Sequence, residues 1–197
     1  MDEKFSVAAQ LFEEHNGIVG VQELLQHGLS YYHLNQLLAD AVIVKLKRGV
    51  YKWAASETNE LAEVARIVPK GVFCLLSAAF HHGLTTSIPA EHHLAIPDEQ
   101  KVALPDYPPI KRYYWNKTPY ALGITTVEVA GGQIKIYDLE KTVCDVIRHR
   151  NKLGFEVLKE ILKNYLDRKD RNLHRLHEYS KALNIFNKVD ELIKVLL

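Results

Sequence analysis

The first sixty residues constrain this chain most. Three short helical stretches, broken by glycines, run directly into two β-branched strands joined by Lys-Arg-Gly. Phe5, Ala8, Ala9, Leu11 and Phe12 recur at helical spacing, and the stripe ends at His15-Asn16-Gly17, where Asn and Gly accept left-handed backbone. Residues 21–27 carry Leu24 and Leu25 and stop at Gly28. Ser30 then caps a third helix over residues 31–40, with Leu34, Leu37 and Leu38 facing inward. Residues 42–46 and 50–53 are apolar and β-branched or aromatic, and Lys47-Arg48-Gly49 between them is a turn, so they form a hairpin. A helix-turn-helix followed by a hairpin is the element order of a winged helix-turn-helix, expected over residues 1–55.

Residues 54–59 are small and polar without apolar periodicity, which places a boundary there and a second domain over residues 56–197. Helices are expected at 61–68, ended by Pro69-Lys70-Gly71, and at 75–82, ended by Gly83. Strand-like pieces follow at 92–97, 110–115, 124–130 and 133–138, the last two as a hairpin around Gly131-Gly132. From residue 139 the periodicity is helical, in segments 139–152, 155–166, 173–183 and 186–197. The fold class is α+β: a winged helix-turn-helix, then an α/β domain ending in a helical bundle. With 197 residues, 47% hydrophobic and 25% charged, the chain can bury a core without disulfides or metals. Cys74 and Cys144 form no pairing or zinc motif, the start is acidic, and no apolar run approaches the ~20 residues that span a bilayer. The expectation is a cytoplasmic protein without cofactor, metal or membrane partner.

A net charge of +1 means that any nucleic acid must be held by a local patch. Removing the inward leucines of the third helix leaves Tyr31, Tyr32, His33, Asn35 and Gln36, with Ser30 at its start. Asn and Gln can read adenine bidentately, and none of these groups carries a full charge. The cations sit in the hairpin: Lys45, Lys47, Arg48 and Lys52, with no acid between Asp40 and Glu57. If all four take phosphates, each adds roughly 0.9 to the salt slope of binding. Tight binding by one such module needs two copies on an inverted repeat of double-stranded operator DNA. The bland counterpart is a protein-interaction scaffold whose basic hairpin is only an edge strand guarded by lysines, since residues 1–60 as a whole are net acidic.

The densest polar stretch is Tyr137-Asp138-Leu139-Glu140-Lys141-Thr142-Val143-Cys144-Asp145-Val146-Ile147-Arg148-His149-Arg150. Asp138 is an N-cap, and Leu139, Val143, Val146 and Ile147 form a buried stripe. Glu140, Lys141, Asp145, Arg148 and His149 are left on a polar face, paired Lys141/Asp145 and Asp145/His149 at i,i+4. Basic residues outnumber acidic ones over 141–175, which marks a patch for a phosphate-rich or acidic partner.

The N-terminal GIVGVQELLQHGLSYYHLNQLLADAVIVKLKRGVYKW, then LLSAAFHHGLT with HLAIP, IYDLEKTVCDVIRHRNKLG, and NYLDRKDRNLHRLHEYSKALN resemble AbiEi-type antitoxins of abortive-infection toxin–antitoxin pairs, over nearly the whole chain. The resemblance implies a winged helix-turn-helix that represses its own operon. It also implies a C-terminal domain that neutralises a cognate nucleotidyltransferase-like toxin, in the type IV manner that requires no stable complex. The expected antitoxin surface is Glu140, Lys141, Asp145, Arg148, His149, Arg150 and Lys152.

Other constellations are weaker. His81-His82 and His92-His93 are adjacent pairs whose members diverge, and His174 and His177 lack a third ligand at zinc spacing. A Mg²⁺-dependent nuclease would draw on Asp138, Glu140, Lys141 and Asp145, yet these come from one helix start, and no nucleotide-binding or hydrolase motif is present, so no enzyme is expected. Lys111 to Lys117 mixes cations with aromatics as single-strand binders do, but reads better as a strand with Tyr113 and Trp115 on one face and Arg112, Tyr114 and Asn116 on the other.

Overall fold

The computed structural model describes residues 2–196; Leu197, where the last expected helix ends, lies outside them. In chain order the elements are α1 (Asp2–Glu14), β1 (Ile18–Gly20), α2 (Val21–Gln26), α3 (Tyr31–Ala39), β2 (Ile43–Lys47), β3 (Val50–Trp53), α4 (Glu60–Ile67), β4 (Val72–Phe73) and α5 (Leu75–His81). They continue as β5 (His92–Pro97), β6 (Ile110–Trp115), α6 (Lys117–Ala121), β7 (Ile124–Val129), β8 (Gly132–Tyr137), α7 (Leu139–Arg148), α8 (Arg150–Leu153), α9 (Phe155–Asp167), α10 (Leu173–Ala182) and α11 (Phe186–Leu196). Two compact units result. The first holds residues 1–69, 102–108 and 127–134, and the second holds residues 70–101, 109–126 and 135–197.

In the first unit, helices and a hairpin fit a winged helix-turn-helix. Phe12, Leu24, Leu34, Leu37, Ile43 and Tyr51, one or two from each element, close a shared core. Gly28, at φ +80°, makes the turn between α2 and α3. The hairpin β2–β3 is extended by β1, giving an antiparallel sheet of order β1-β3-β2. β1 was not expected, because a three-residue strand that follows Gly17 and ends on Gly20 carries no readable alternation. The register of β2 on β3 is irregular between Lys45 and Lys47, which interrupts the alternation of faces along β2.

The boundary expected at residues 54–59 differs from the structure. α4 belongs to the first unit, and so do residues 102–108 and 127–134. The polar stretch is knotted in place by specific bonds: Ser56 Oγ donates to the Trp53 carbonyl at 2.7 Å, Thr58 Oγ1 to Glu63 at 2.8 Å, and the Asn59 amide to the Ala130 carbonyl at 2.7 Å. Gly131, at φ +97°, lies so close that a Cβ would meet Thr58 Cβ at 3.0 Å and Ala62 Cβ at 3.1 Å.

The second unit is organised on the sheet order β6-β5-β4-β8-β7, with β4 antiparallel to β5 and parallel to β8, and β5 parallel to β6. β4 and α6 are short elements that the sequence did not announce. The expected helix over 139–152 is interrupted at His149, between α7 and α8. α7 packs against α5, α9, α10 and α11. Val143, Val146 and Ile147 join Leu158, Ile161, Tyr165, Leu176 and Val189 in one core cluster.

Because neighbours cover α7 on several sides, its expected polar face is not a surface. Glu140 is 3% exposed, and Lys141 and Asp145 are 0% exposed. Lys141 Nζ donates to Asp145 Oδ2 at 2.5 Å and lies 4.0 Å from the centre of the Tyr137 ring and 4.4 Å from that of Trp115. A Cβ added at Gly123 would stand 2.7 Å from Lys141 Cβ, so that position must stay bare. Glu140 accepts from the Asn172 amide at 2.9 Å, tying the start of α10 to the start of α7. The Asp145/His149 side-chain pair does not form. Among the described residues the buried Asp145 Oδ1 and His149 Nε2 atoms find no hydrogen-bond partner, and the His149 ring stacks on Trp115 with centroids 5.9 Å apart.

Removing both ions from water costs several kcal/mol each, and only their mutual attraction and the aromatic faces offset it. Burial pushes the Lys141 ammonium down and the Asp145 carboxyl up to about 6, with the pair itself opposing both shifts. Lys141→Met leaves Asp145 uncompensated and should destabilise the protein by about 3–5 kcal/mol, whereas Lys141→Met with Asp145→Leu should recover most of that loss. A carboxyl raised on folding favours the folded state at low pH and loses that contribution as pH rises past its folded value. The single variant should therefore be more impaired at pH ~7.5 than at pH ~5 in chemical denaturation; equal losses at both, or no recovery in the double variant, would contradict the pairing.

Candidate nucleic-acid interface

α3 begins with a full capping box. Ser30 Oγ accepts from the His33 amide at 3.4 Å, and the Ser30 amide donates to His33 Nδ1 at 3.0 Å. Histidine here fills the place that Glu or Gln takes more often. Along the helix, Leu34 and Leu37 turn into the core, while Tyr31 and Tyr32 remain 61% and 67% exposed. Asn35 is exposed, and Gln36 Nε2 donates to the Tyr32 hydroxyl at 2.9 Å. Tyr32, His33 and Gln36 also line an open groove of about 580 Å³ with Lys4 and Phe5 of α1. The structure thus brings the expected neutral polar groups together on the outer side of one helix.

The hairpin differs from expectation. Lys47 Nζ donates to the Ile67 carbonyl at the end of α4 at 2.6 Å, and burial lowers its pKa. Lys52 Nζ pairs with Glu63 at 2.6 Å, and Glu63 is itself buried. Both cations therefore hold α4 to the hairpin, which is why α4 belongs to the first unit. Lys45 and Arg48 are exposed. Of the four cations expected to face phosphates, Lys47 and Lys52 are thus engaged inside the first unit, and Lys45 and Arg48 are left at its surface. The partner of Lys52 lies eleven residues downstream and that of Lys47 is a main-chain oxygen, so neither is visible in a charge pattern.

Of the expected antitoxin surface, Arg148 and Lys152 are exposed and Arg150 is half-buried, with Arg150 Nη1 reaching the Ile147 carbonyl at 3.4 Å. His149 is half-buried, and burial lowers its pKa to about 4, so it adds no positive charge near neutrality. Glu140, Lys141 and Asp145 leave this surface, as described above. The carboxylates considered for a nuclease are likewise taken up by packing. Asp138 caps α7 through the Lys141 amide at 2.8 Å and accepts from the Tyr179 hydroxyl at 2.8 Å. Among the described residues no group of three His, Cys, Asp or Glu is placed to hold a metal ion, and no helix is long and apolar enough to cross a membrane. β6 alternates as expected: Trp115 is buried, Tyr113 half-buried, and Arg112 and Tyr114 exposed.

A capped outward helix beside a basic turn fits a winged helix-turn-helix. Residues 6–51 match the family described as "Transcriptional regulator, AbiEi antitoxin", which bears out the resemblance over that stretch. The solved structure titled "Crystal structure of RV2827C protein from Mycobacterium tuberculosis" is similar in fold, with a TM-score of 0.62 at 13% identity over 93% of this chain and 77% of that one. No curated protein matches the chain.

The two kinds of hairpin cation should separate experimentally. Lys52→Met should lower stability by about 1.5–3 kcal/mol through the loss of a charged, part-buried bond. Lys45→Ala and Arg48→Ala should leave stability unchanged and each reduce the salt slope of duplex binding by about 0.9. Thermal unfolding and salt-dependent anisotropy titrations check this; a salt slope lowered as much by Lys52→Met as by Arg48→Ala would overturn the division.

Proposed function

We propose that this protein is a DNA-binding transcriptional autorepressor that serves as the antitoxin of an abortive-infection toxin–antitoxin pair, and that it acts in the cytoplasm. The observation that carries the reading is the match of residues 6–51 to an antitoxin regulator family, over the same residues that build the capped helix and basic turn. In this reading α3 enters the major groove, and its neutral polar groups contact base edges. Arg48 and Lys45 sit on the adjacent backbone. Two exposed hairpin cations supply little electrostatic affinity, so two copies on an inverted repeat supply the rest. Occupancy of the promoter excludes polymerase.

The second unit opposes a nucleotidyltransferase-like toxin through Arg148, Arg150 and Lys152 at the end of α7 and in α8, without requiring a stable complex. A scaffold that never meets DNA is the second reading, favoured by the commitment of Lys47 and Lys52 to internal bonds. Both halves are tested in cells by pairing the protein with the neighbouring toxin-like reading frame and with a reporter driven from its own upstream DNA. The expected result is rescue of growth together with repression, and loss of rescue alone when Arg148, Arg150 and Lys152 are all changed to Glu. Rescue that survives the triple change contradicts the assigned surface, and an unrepressed reporter favours the scaffold.

A further inference from the structure

His33 combines two roles that are normally separate: it closes the cap of α3, and, half-buried, it lines the open groove with Tyr32 and Gln36. We infer that the capping box makes His33 Nδ1 an acceptor and so leaves the imidazole N–H on Nε2, and that this N–H is a base-reading donor selecting a hydrogen-bond acceptor on the major-groove edge. The inference rests on the DNA-binding reading and deepens it by naming a specificity-determining residue.

The hydrogen bonds of one ring nitrogen decide the tautomer. Nδ1 of His33 receives the Ser30 amide at 3.0 Å, and the Ser30 hydroxyl lies 3.1 Å away on the same atom. A main-chain N–H is always a donor, so Nδ1 must be the acceptor and cannot carry the proton. In a neutral imidazole the proton then resides on Nε2. The cap also fixes where the donor sits, because the ring is tied at one nitrogen to the start of the helix. A free side chain would lose rotamer entropy on binding; this one has lost it in folding.

The chemistry of the base edges then limits what the donor can meet. Guanine offers N7 and O6, adenine N7 and thymine O4 as acceptors in the major groove, whereas the cytosine N4 amino group is a donor and clashes with it. Gln36, one turn on, donates one of its two amide hydrogens to the Tyr32 hydroxyl at 2.9 Å, which leaves its Oε1 and its second N–H open to a base edge. A helix without cations can thus discriminate sequence through prearranged neutral groups, which accounts for the absence of Arg and Lys from α3.

The tautomer is measurable in the free full-length chain, without DNA, from the ¹⁵N chemical shifts of the His33 ring. The expected pattern has the proton on Nε2 and Nδ1 bare; a ring protonated on Nδ1 overturns the inference. Operator selection from a random duplex pool with wild type and His33→Gln supplies the second arm. Gln at this position keeps the capping box, so thermal stability should stay close to wild type. Discrimination at one base pair of each half-site should fall about 5- to 100-fold or change identity, with the other positions unaltered. An unchanged selected sequence with unchanged discrimination overturns the role of His33 while leaving the regulator reading intact. A wild-type protein that enriches no sequence overturns the regulator reading itself.

Discussion

An ion pair sealed from water sets the design of the second unit. Lys141 and Asp145 are both fully buried on α7, and a charge so placed must be compensated from every direction. Tyr137 and Trp115 supply the aromatic faces, Gly123 supplies the bare backbone against which the lysine stem rests, and Glu140 beside them anchors α10. Helix α7 therefore works as a central post. What looks in the sequence like a charged outer face is the set of contacts by which the neighbouring elements are held.

The same economy of charge governs the first unit. Residues 1–60 are net acidic, and two of the hairpin's four cations are spent on α4, one on Glu63 and one on a carbonyl. The outward field of the module is consequently weak. In the proposed reading, sequence preference then has to come from hydrogen bonds made by groups already in position, and α3 offers a capped start and a Gln36 amide bonded to the Tyr32 hydroxyl. Weak electrostatics and prearranged polar groups are two sides of one arrangement, since a strongly basic helix would bind any duplex and need less preparation.

Much of the architecture was legible because periodicity and punctuation agreed. Gly28, Ser30 and Gly49 mark their turns and caps unambiguously, and the alternation in β6 correctly puts Trp115 inside and Tyr114 outside. β1 and β4, three and two residues long, are strands only because a partner strand lies alongside. The polar stretch at 54–59 has linker composition, yet its two hydroxyls are both engaged, and composition cannot distinguish a solvated polar residue from a bonded one. The misplaced face of α7 has the same origin. An i,i+4 Lys–Asp pair has one spacing whether it lies in water or in a core, and only the packing of α5 and α10 against it decides which.

The central claim is that an electrically balanced chain recognises duplex DNA by sequence through the outer side of α3. The most direct measurement is an equilibrium titration of the full-length protein against the duplex that lies upstream of its own reading frame. A shuffled duplex of identical length and composition is titrated in parallel, at one fixed physiological salt concentration. The account predicts clearly tighter binding to the upstream duplex; equal affinity for the two would contradict it.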